Sequence, residues 1–186
     1  MRYLLLFLSF SAFAADNTIN IQQIGNNNII TVAQDGSGHI ATVNIGASSN
    51  VDNTAISIDQ KDSGIKTANV EIKSGINNGV NILQQGAGNH TASIQNLNGS
   101  GNNINIDQNG SGNHEFRVLN SIGSVNNGNT ITSTQSSASS QVFNLTLDGT
   151  TGATVGVSQT GAIPNTGSMT IQCAPGTCGT YTYTRN

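Results

Sequence analysis

Three histidines, His39, His90 and His114, are the residues of this chain best suited to chemistry near neutral pH, as metal ligands or proton carriers. Each falls at or just after a polar position between two alternating apolar runs. No His-x-His pair and no acidic pair stands beside any of them, so the converging ligands of a metal site are missing from the spacing. Solvated or stacked turn histidines are expected instead. Asp35, Asp59, Asp107 and Asp148 lie next to strand ends and are expected to face outward. Cleavage of a glycosidic bond needs two carboxyls set across one bond, and the spacing shows no such pair. Serine is abundant, but no Gly-x-Ser-x-Gly elbow accompanies it. The chain is therefore expected not to be an enzyme and to need no cofactor and no metal.

The two cysteines, Cys173 and Cys178, flank Ala-Pro-Gly-Thr. This is not the Cys-x-x-Cys of a redox enzyme. In an exported chain it reads as a short-loop disulfide that pins a closing turn, with free thiols or a bond between chains as the alternatives.

Export is expected from the first residues. Arg2 is followed by the apolar run Tyr3 to Phe10 and by Ala12-Phe13-Ala14, the layout of a secretory signal peptide over residues 1–14. No later run reaches the ~18 apolar residues of a spanning helix, so no membrane-spanning segment is expected in the mature chain. With 6 Lys and Arg against 9 Asp and Glu, the chain lacks the basic stripe of a nucleic-acid binder.

The elements that hold these residues are short strands. The chain has 27 Asn, 12 Gln and 22 Gly but no Trp, and its Ile, Val and Thr favour strands between Gly and Asn turns. Alternation is clear at Ile19-Ile21-Gln23, Ile30-Val32-Gln34 and Ala41-Val43-Ile45. A step recurs: Gln, Gly two later, a polar residue five later, a small or branched residue seven later, Gln eleven later. Gln23, Gly25, Asn28, Ile30 and Gln34 follow it, as do Gln84, Gly86, Asn89, Thr91 and Gln95. Gln34, Gly36, His39, Ala41 and Ile45 follow it with two substitutions. After Gln60, Gln135 and Gln159 the next strand arrives one residue late, which a longer turn would absorb. Residues 114–119 fit either parity.

A strand–turn–strand unit with one alternating inward face cannot bury that face alone, whereas stacked units bury it continuously. Inward Ile and Val then form a thin core, and inward Gln and Asn line up as amide ladders. The expected fold is all-β, a two-strand-per-coil β-solenoid over residues 15–172, followed by a C-terminal tail over 173–186.

The step Gln-x-Gly-x-x-Asn-x-small-x-x-x-Gln resembles the curlin repeat, tightly in Ile19–Ile45 and Val80–Leu119 and in degenerate form elsewhere. The resemblance implies a subunit of a curli-like extracellular amyloid fibre of the biofilm matrix. It also implies self-association, a nucleator subunit and an outer-membrane export pore as partners. Carried over by position, the ladder residues are Gln23, Asn28, Gln34, Gln84, Asn89, Gln95, Gln108 and Asn113, with Gly25, Gly36, Gly86 and Gly110 at the arcs. The repeats begin within a few residues of the cleavage box, without the Gly-rich stretch that usually precedes them in major curlin subunits.

Lys61, Asp62, Lys66, Glu71 and Lys73 cluster where Gln-x-Gly fails. They are expected to be solvated gatekeepers, repelling like charges if identical coils stack in the wrong register. Two other classes compete with the fibre subunit. A monomeric solenoid adhesin or ligand-binding module would need a flat outward array of one residue type, and no sustained Thr-x-Thr ladder is expected. An outer-membrane barrel would need strands of ~10 residues and aromatic girdles, against 4% aromatic residues here.

Overall fold

Alternating sequences become strands because only the extended chain sends successive side chains to opposite faces. The protein, a computed structural model describing residues 5–10, 16–47, 49–173 and 176–186, is built from such strands and contains no helix among those residues. One sheet is formed by β2 (Thr18–Gln23), β4 (Ile40–Ile45), β7 (Lys66–Ile76), β9 (His90–Asn98), β11 (His114–Asn120), β13 (Gln141–Asp148) and β15 (Asn165–Gln172). The other is formed by β3 (Ile29–Asp35), β6 (Ala55–Lys61), β8 (Gly79–Gln85), β10 (Asn103–Asn109), β12 (Thr130–Ser136), β14 (Thr154–Gln159) and β16 (Thr180–Arg185). β1 (Leu5–Phe10) lies parallel to β3 at the edge of this second sheet, and the two-residue β5 (Val51–Asp52) pairs with β7. The rest of the expected leader lies outside the described residues.

The chain alternates between the sheets, so β2–β3, β4–β6 and each following pair make one coil, seven in all. Every named pairing is parallel. The fold is the two-strand-per-coil β-solenoid expected from the repeat.

Parallel register turns each inward position into a column along the axis. Ile30, Ile56, Val80, Ile104, Ile131 and Val155 form one, and Val43, Val70, Ile94, Val118 and Leu145 another, all buried. A third column changes size along its length: Ala41, Ala68 and Ala92 give way to Phe116 and Phe143, whose rings stack 5.7 Å apart. Gly167 follows them, and a Cβ there would lie 2.7 Å from the Phe143 ring and 2.9 Å from Tyr183. The missing side chain makes room for Tyr183, which reaches in from the other sheet to within 4.8 Å of Phe143. Volume is conserved across the core even where the repeat is not.

The arcs depend on glycine for closeness as well as for conformation. Gly25 has φ 135°, and a Cβ on it would sit 1.8 Å from the Val51 carbonyl oxygen of the next coil. Gly36, Gly86 and Gly110 also have positive φ and would place a Cβ 2.3–2.5 Å from a carbonyl of the coil above.

Residues 173–186, expected as a tail, supply the last strand. β16 pairs with β14 from Thr154↔Thr180 to Gln159↔Arg185, completing the seventh coil. Its alternating Tyr-Thr pattern carries no Gln-x-Gly, which is why the repeat reading stopped short of it. Cys173 and Cys178 are joined by a disulfide across the loop between β15 and β16.

Candidate functional site: the buried ladders

The most continuous polar feature of the interior is a glutamine column. Gln34, Gln60, Gln84, Gln108, Gln135 and Gln159 lie last or next to last in six successive strands of one sheet, and all are buried. Nε2 of each donates to Oε1 of the next at 2.7–2.9 Å, from Gln34 through Gln159. The same Nε2 atoms also donate across to the other sheet, for example to the carbonyls of Ile40, Thr67, Thr91 and Glu115. The column thus joins coil to coil and sheet to sheet, and it satisfies amides that would otherwise be costly to bury. In register, Arg185 takes the next position after Gln159.

Asparagine does the same work at the opposite arc. Asn28 donates to the Val51 carbonyl at 2.6 Å and accepts from Thr54 N–H at 2.9 Å. Above it, Asn102 Nδ2 donates to Asn78 Oδ1 at 3.1 Å, and Asn129 Nδ2 to Asn102 Oδ1 at 2.9 Å. Asn78, Asn102 and Asn129 were not singled out from the sequence. The signal that could have found them is that Asn recurs immediately before four strands of the glutamine sheet, β3, β8, β10 and β12.

Of the eight expected ladder residues, the structure places Gln34, Gln84 and Gln108 in the glutamine column and Asn28 at the asparagine arc. Gln23 is half-buried at the end of β2, in register with Ile45, outside the glutamine column. Asn89, Gln95 and Asn113 differ from expectation and do not point into the core. Between Gln84 and the inward residue of the next strand the turn is one residue longer than the step assumed. His90, Ala92 and Ile94 therefore point in, while Asn89 and Thr91 turn away. The same slip after Gln108 puts His114 inside and Asn113 outside, which settles the parity of residues 114–119. A one-residue slip exchanges the two faces of a strand. Asn89 and Asn113 serve instead as exposed caps, Asn89 Oδ1 accepting from Ile65 N–H at 2.7 Å and Asn113 Oδ1 from Asn89 N–H at 2.9 Å. At Gln95 a bulge follows, with Asn96 at φ 58°, and Leu97 returns to the core opposite Ile72.

The charges expected to be solvated gatekeepers divide. Lys61 pairs with Asp59 at 2.6 Å on the surface, and that carboxylate raises the lysine pKa. Asp62 accepts from Gly86 N–H at 2.8 Å, and Glu71 accepts from Asn96 N–H at 3.2 Å. Lys73 is half-buried on β7. Lys66 departs from expectation: it is wholly buried. Its Nζ donates to the carbonyls of Ser63, Gly64, Gly86 and Gly88 at 2.5–3.2 Å. Burial lowers its pKa, and the Asp62 charge opposes that shift. Ser63 and Lys66 do stand in Ser-x-x-Lys spacing, yet the ammonium is engaged by carbonyls, including that of Ser63 itself. The late turn after Gln60 is the signal that could have turned Lys66 inward.

Lys66 belongs to a column with the histidines. His39, Lys66, His90, His114 and Gln141 are successive inward residues, preceded by Asn17 and followed by Asn165. Among the described residues, no three His, Cys, Asp or Glu side chains come together as a metal-binding group.

A family profile, the curlin associated repeat, matches residues 14–44, a segment that includes the first coil and most of β4. No curated protein and no solved structure matches the chain. The matched segment holds Gly25, Gly36, Asn28 and Gln34, whose geometry defines the first coil, and over those residues the chain is similar to the curlin associated repeat.

Proposed function

We propose that the protein is an extracellular structural subunit that stacks end to end into a curli-like amyloid fibre. The observation that carries this reading is the glutamine column from Gln34 to Gln159, in which each side-chain amide is bonded to its copy in the neighbouring coil. The stack contains whole coils: it begins with β2 and β3 and ends with β15 and β16. A second copy can therefore add β2 to β15 and β3 to β16 without a change of phase. Edge strands of this kind template further pairing. Secretion through a removable leader would free the outer edge of β3, along which β1 lies. A nucleating subunit and an export pore are the partners that this role requires.

The test is to purify residues 15–186 and follow assembly. Thioflavin-positive fibres with a meridional reflection near ~4.7 Å are expected. Persistent monomer at fibre-forming concentration would overturn the reading.

One observation favours a second reading, a monomeric adhesin. The outer face of β12, β14 and β16 carries Thr130, Thr132 and Thr134, then Thr154, Gly156 and Ser158, then Thr180, Thr182 and Thr184, in register. This hydroxyl array was not expected from the sequence. Under this reading, monomer would bind an ordered polysaccharide or ice surface, and Thr132→Tyr with Thr182→Tyr would abolish binding.

A further inference from the structure

Each imidazole of the inner column is used on a particular nitrogen. Nε2 lies 3.2 Å from the Asp35 carbonyl in His39, 2.8 Å from the Gln85 carbonyl in His90 and 3.1 Å from the Asn109 carbonyl in His114. A carbonyl only accepts, so Nε2 carries the proton in all three. Nδ1 faces the next coil. His39 Nδ1 accepts from Lys66 N–H at 3.3 Å, and His90 Nδ1 accepts from His114 N–H at 3.4 Å. His114 Nδ1 is buried with no partner. An imidazolium has no acceptor nitrogen. A proton on Nδ1 of His39 or His90 would therefore set N–H against N–H and cut the bond that holds the next coil. It would also place like charges one strand spacing apart, since the His90 and His114 rings are parallel within 1° at 4.9 Å. Lys66 stands next to His90 in the same column.

We propose that this column is an acid-sensitive latch: the coils from β4 to β11 stay stacked while His39, His90 and His114 are neutral, and protonating them releases the stack. The surroundings oppose protonation. Burial above all, with the neighbouring His114 and Lys66 assisting and the Gln85 and Gly110 carbonyls opposing, lowers the pKa of His90 to about 4. Burial also lowers His39, assisted by the Lys66 charge and opposed by the Asp35 and Asp62 backbone carbonyls and by the Asp35 charge on β3. Burial lowers His114, whose carbonyl contacts at Asn109 and Ser137 act in the other direction. The glutamine column of the other sheet lies alongside without charge. Glu115 and Arg117, on the strand of His114, pair with each other on the surface.

Because the folded pKa values lie below the ordinary 6.5, this stabilisation is complete above that value. It is lost as pH falls through the interval down to about 4 for His90. The latch lies inside the coils, so it acts in a single folded copy and in a fibre alike, and it stands whether or not copies join.

The fold supplies its own control. Gln141 holds the next position of the column and donates to the Gly161 and Ile163 carbonyls at 3.0 and 3.1 Å. The triple variant His39→Gln, His90→Gln, His114→Gln should therefore fold without titrating. Denaturant unfolding of residues 15–186, as monomer or fibre, is measured at pH 7 and pH 4.5. The wild-type folded-to-unfolded ratio should fall by at least about tenfold, and the triple variant by less than about threefold, after the shared carboxylate contribution. Equal losses, or no wild-type loss, would overturn the proposal. Should the variant not fold at neutral pH, histidine ring NMR of the wild type decides. Midpoints well below the ordinary value that coincide with the loss of structure support the latch, and midpoints near ~6.5 overturn it.

Discussion

Gln84 Nε2 donates to Gln108 Oε1 at 2.8 Å, joining two buried side chains 24 residues apart in sequence. The same nitrogen donates to the Thr67 carbonyl, while Gln84 Oε1 accepts from Gln60. Gln84→Leu would strip a partner from all three. A buried group left without its partner costs on the order of 1–3 kcal/mol. Gln95, which faces outward beside Ser93, makes one such bond to the Ser93 hydroxyl. Gln95→Leu should stay within about 0.5 kcal/mol, as surface changes do. Chemical denaturation of the two variants separates them, and equal midpoints would contradict the inward face assigned to Gln84.

Lys66 should behave as a core residue. Lys66→Met keeps the length of the side chain but leaves the carbonyls of Ser63, Gly64, Gly86 and Gly88 without their shared donor. A loss of about 3 kcal/mol is expected, since several buried acceptors go unpaired even as one buried charge is removed. Lys61→Met removes only an exposed pair with Asp59 and should leave the unfolding midpoint nearly unchanged. If Lys61→Met proves the more damaging, the ammonium is not held in the carbonyl cage.

Gly25 and Gly149 both have positive φ, but only Gly25 lies against another coil. Gly149→Ala should cost about 1–2 kcal/mol, the strain of a left-handed alanine in open space. Gly25→Ala would in addition drive a methyl group into the Val51 carbonyl and should detach the first coil. Hydrogen exchange in 18–34 should then become fast while 79–109 stays protected. Uniform protection would show that the arc can open at no cost.

The Cys173–Cys178 bridge closes a loop of 5 residues' separation. Cys178 N–H also donates to the Thr151 carbonyl at 2.7 Å, fastening the loop to the coil before it. Replacing both cysteines by serine should lower stability by about 2 kcal/mol in the chain-entropy account and loosen β16 first. A non-reducing gel should show monomer. Reducible dimers would mean that the thiols join chains instead.

Much of the fold is legible in the chain because period-2 alternation and recurring Gln-x-Gly are local properties. Ile19-Ile21, Ile30-Val32 and Val80-Ile82 announce strands with one apolar face, and no single strand can bury that face without a stacked neighbour. Gln34, Gln84 and Gln108 are legible for the same reason, whereas Gln60, Gln135 and Gln159 are not among the expected ladder residues; Gln60 and Gln135 lack the glycine two later, and Gln159 keeps it at Gly161. What the sequence could not determine is the length of each arc. One residue more or less between Gln84 and the next strand decides whether Asn89 or His90 enters the core, and both are polar. Only the three-dimensional stack resolves that choice, because Ala92 and Ile94 must fall opposite Ala68 and Val70. Lys66 is the sharpest case: its charge reads as surface, yet the turn after Gln60 sends it inward, where the ring of carbonyls that accepts it exists only once the third and fourth coils have stacked.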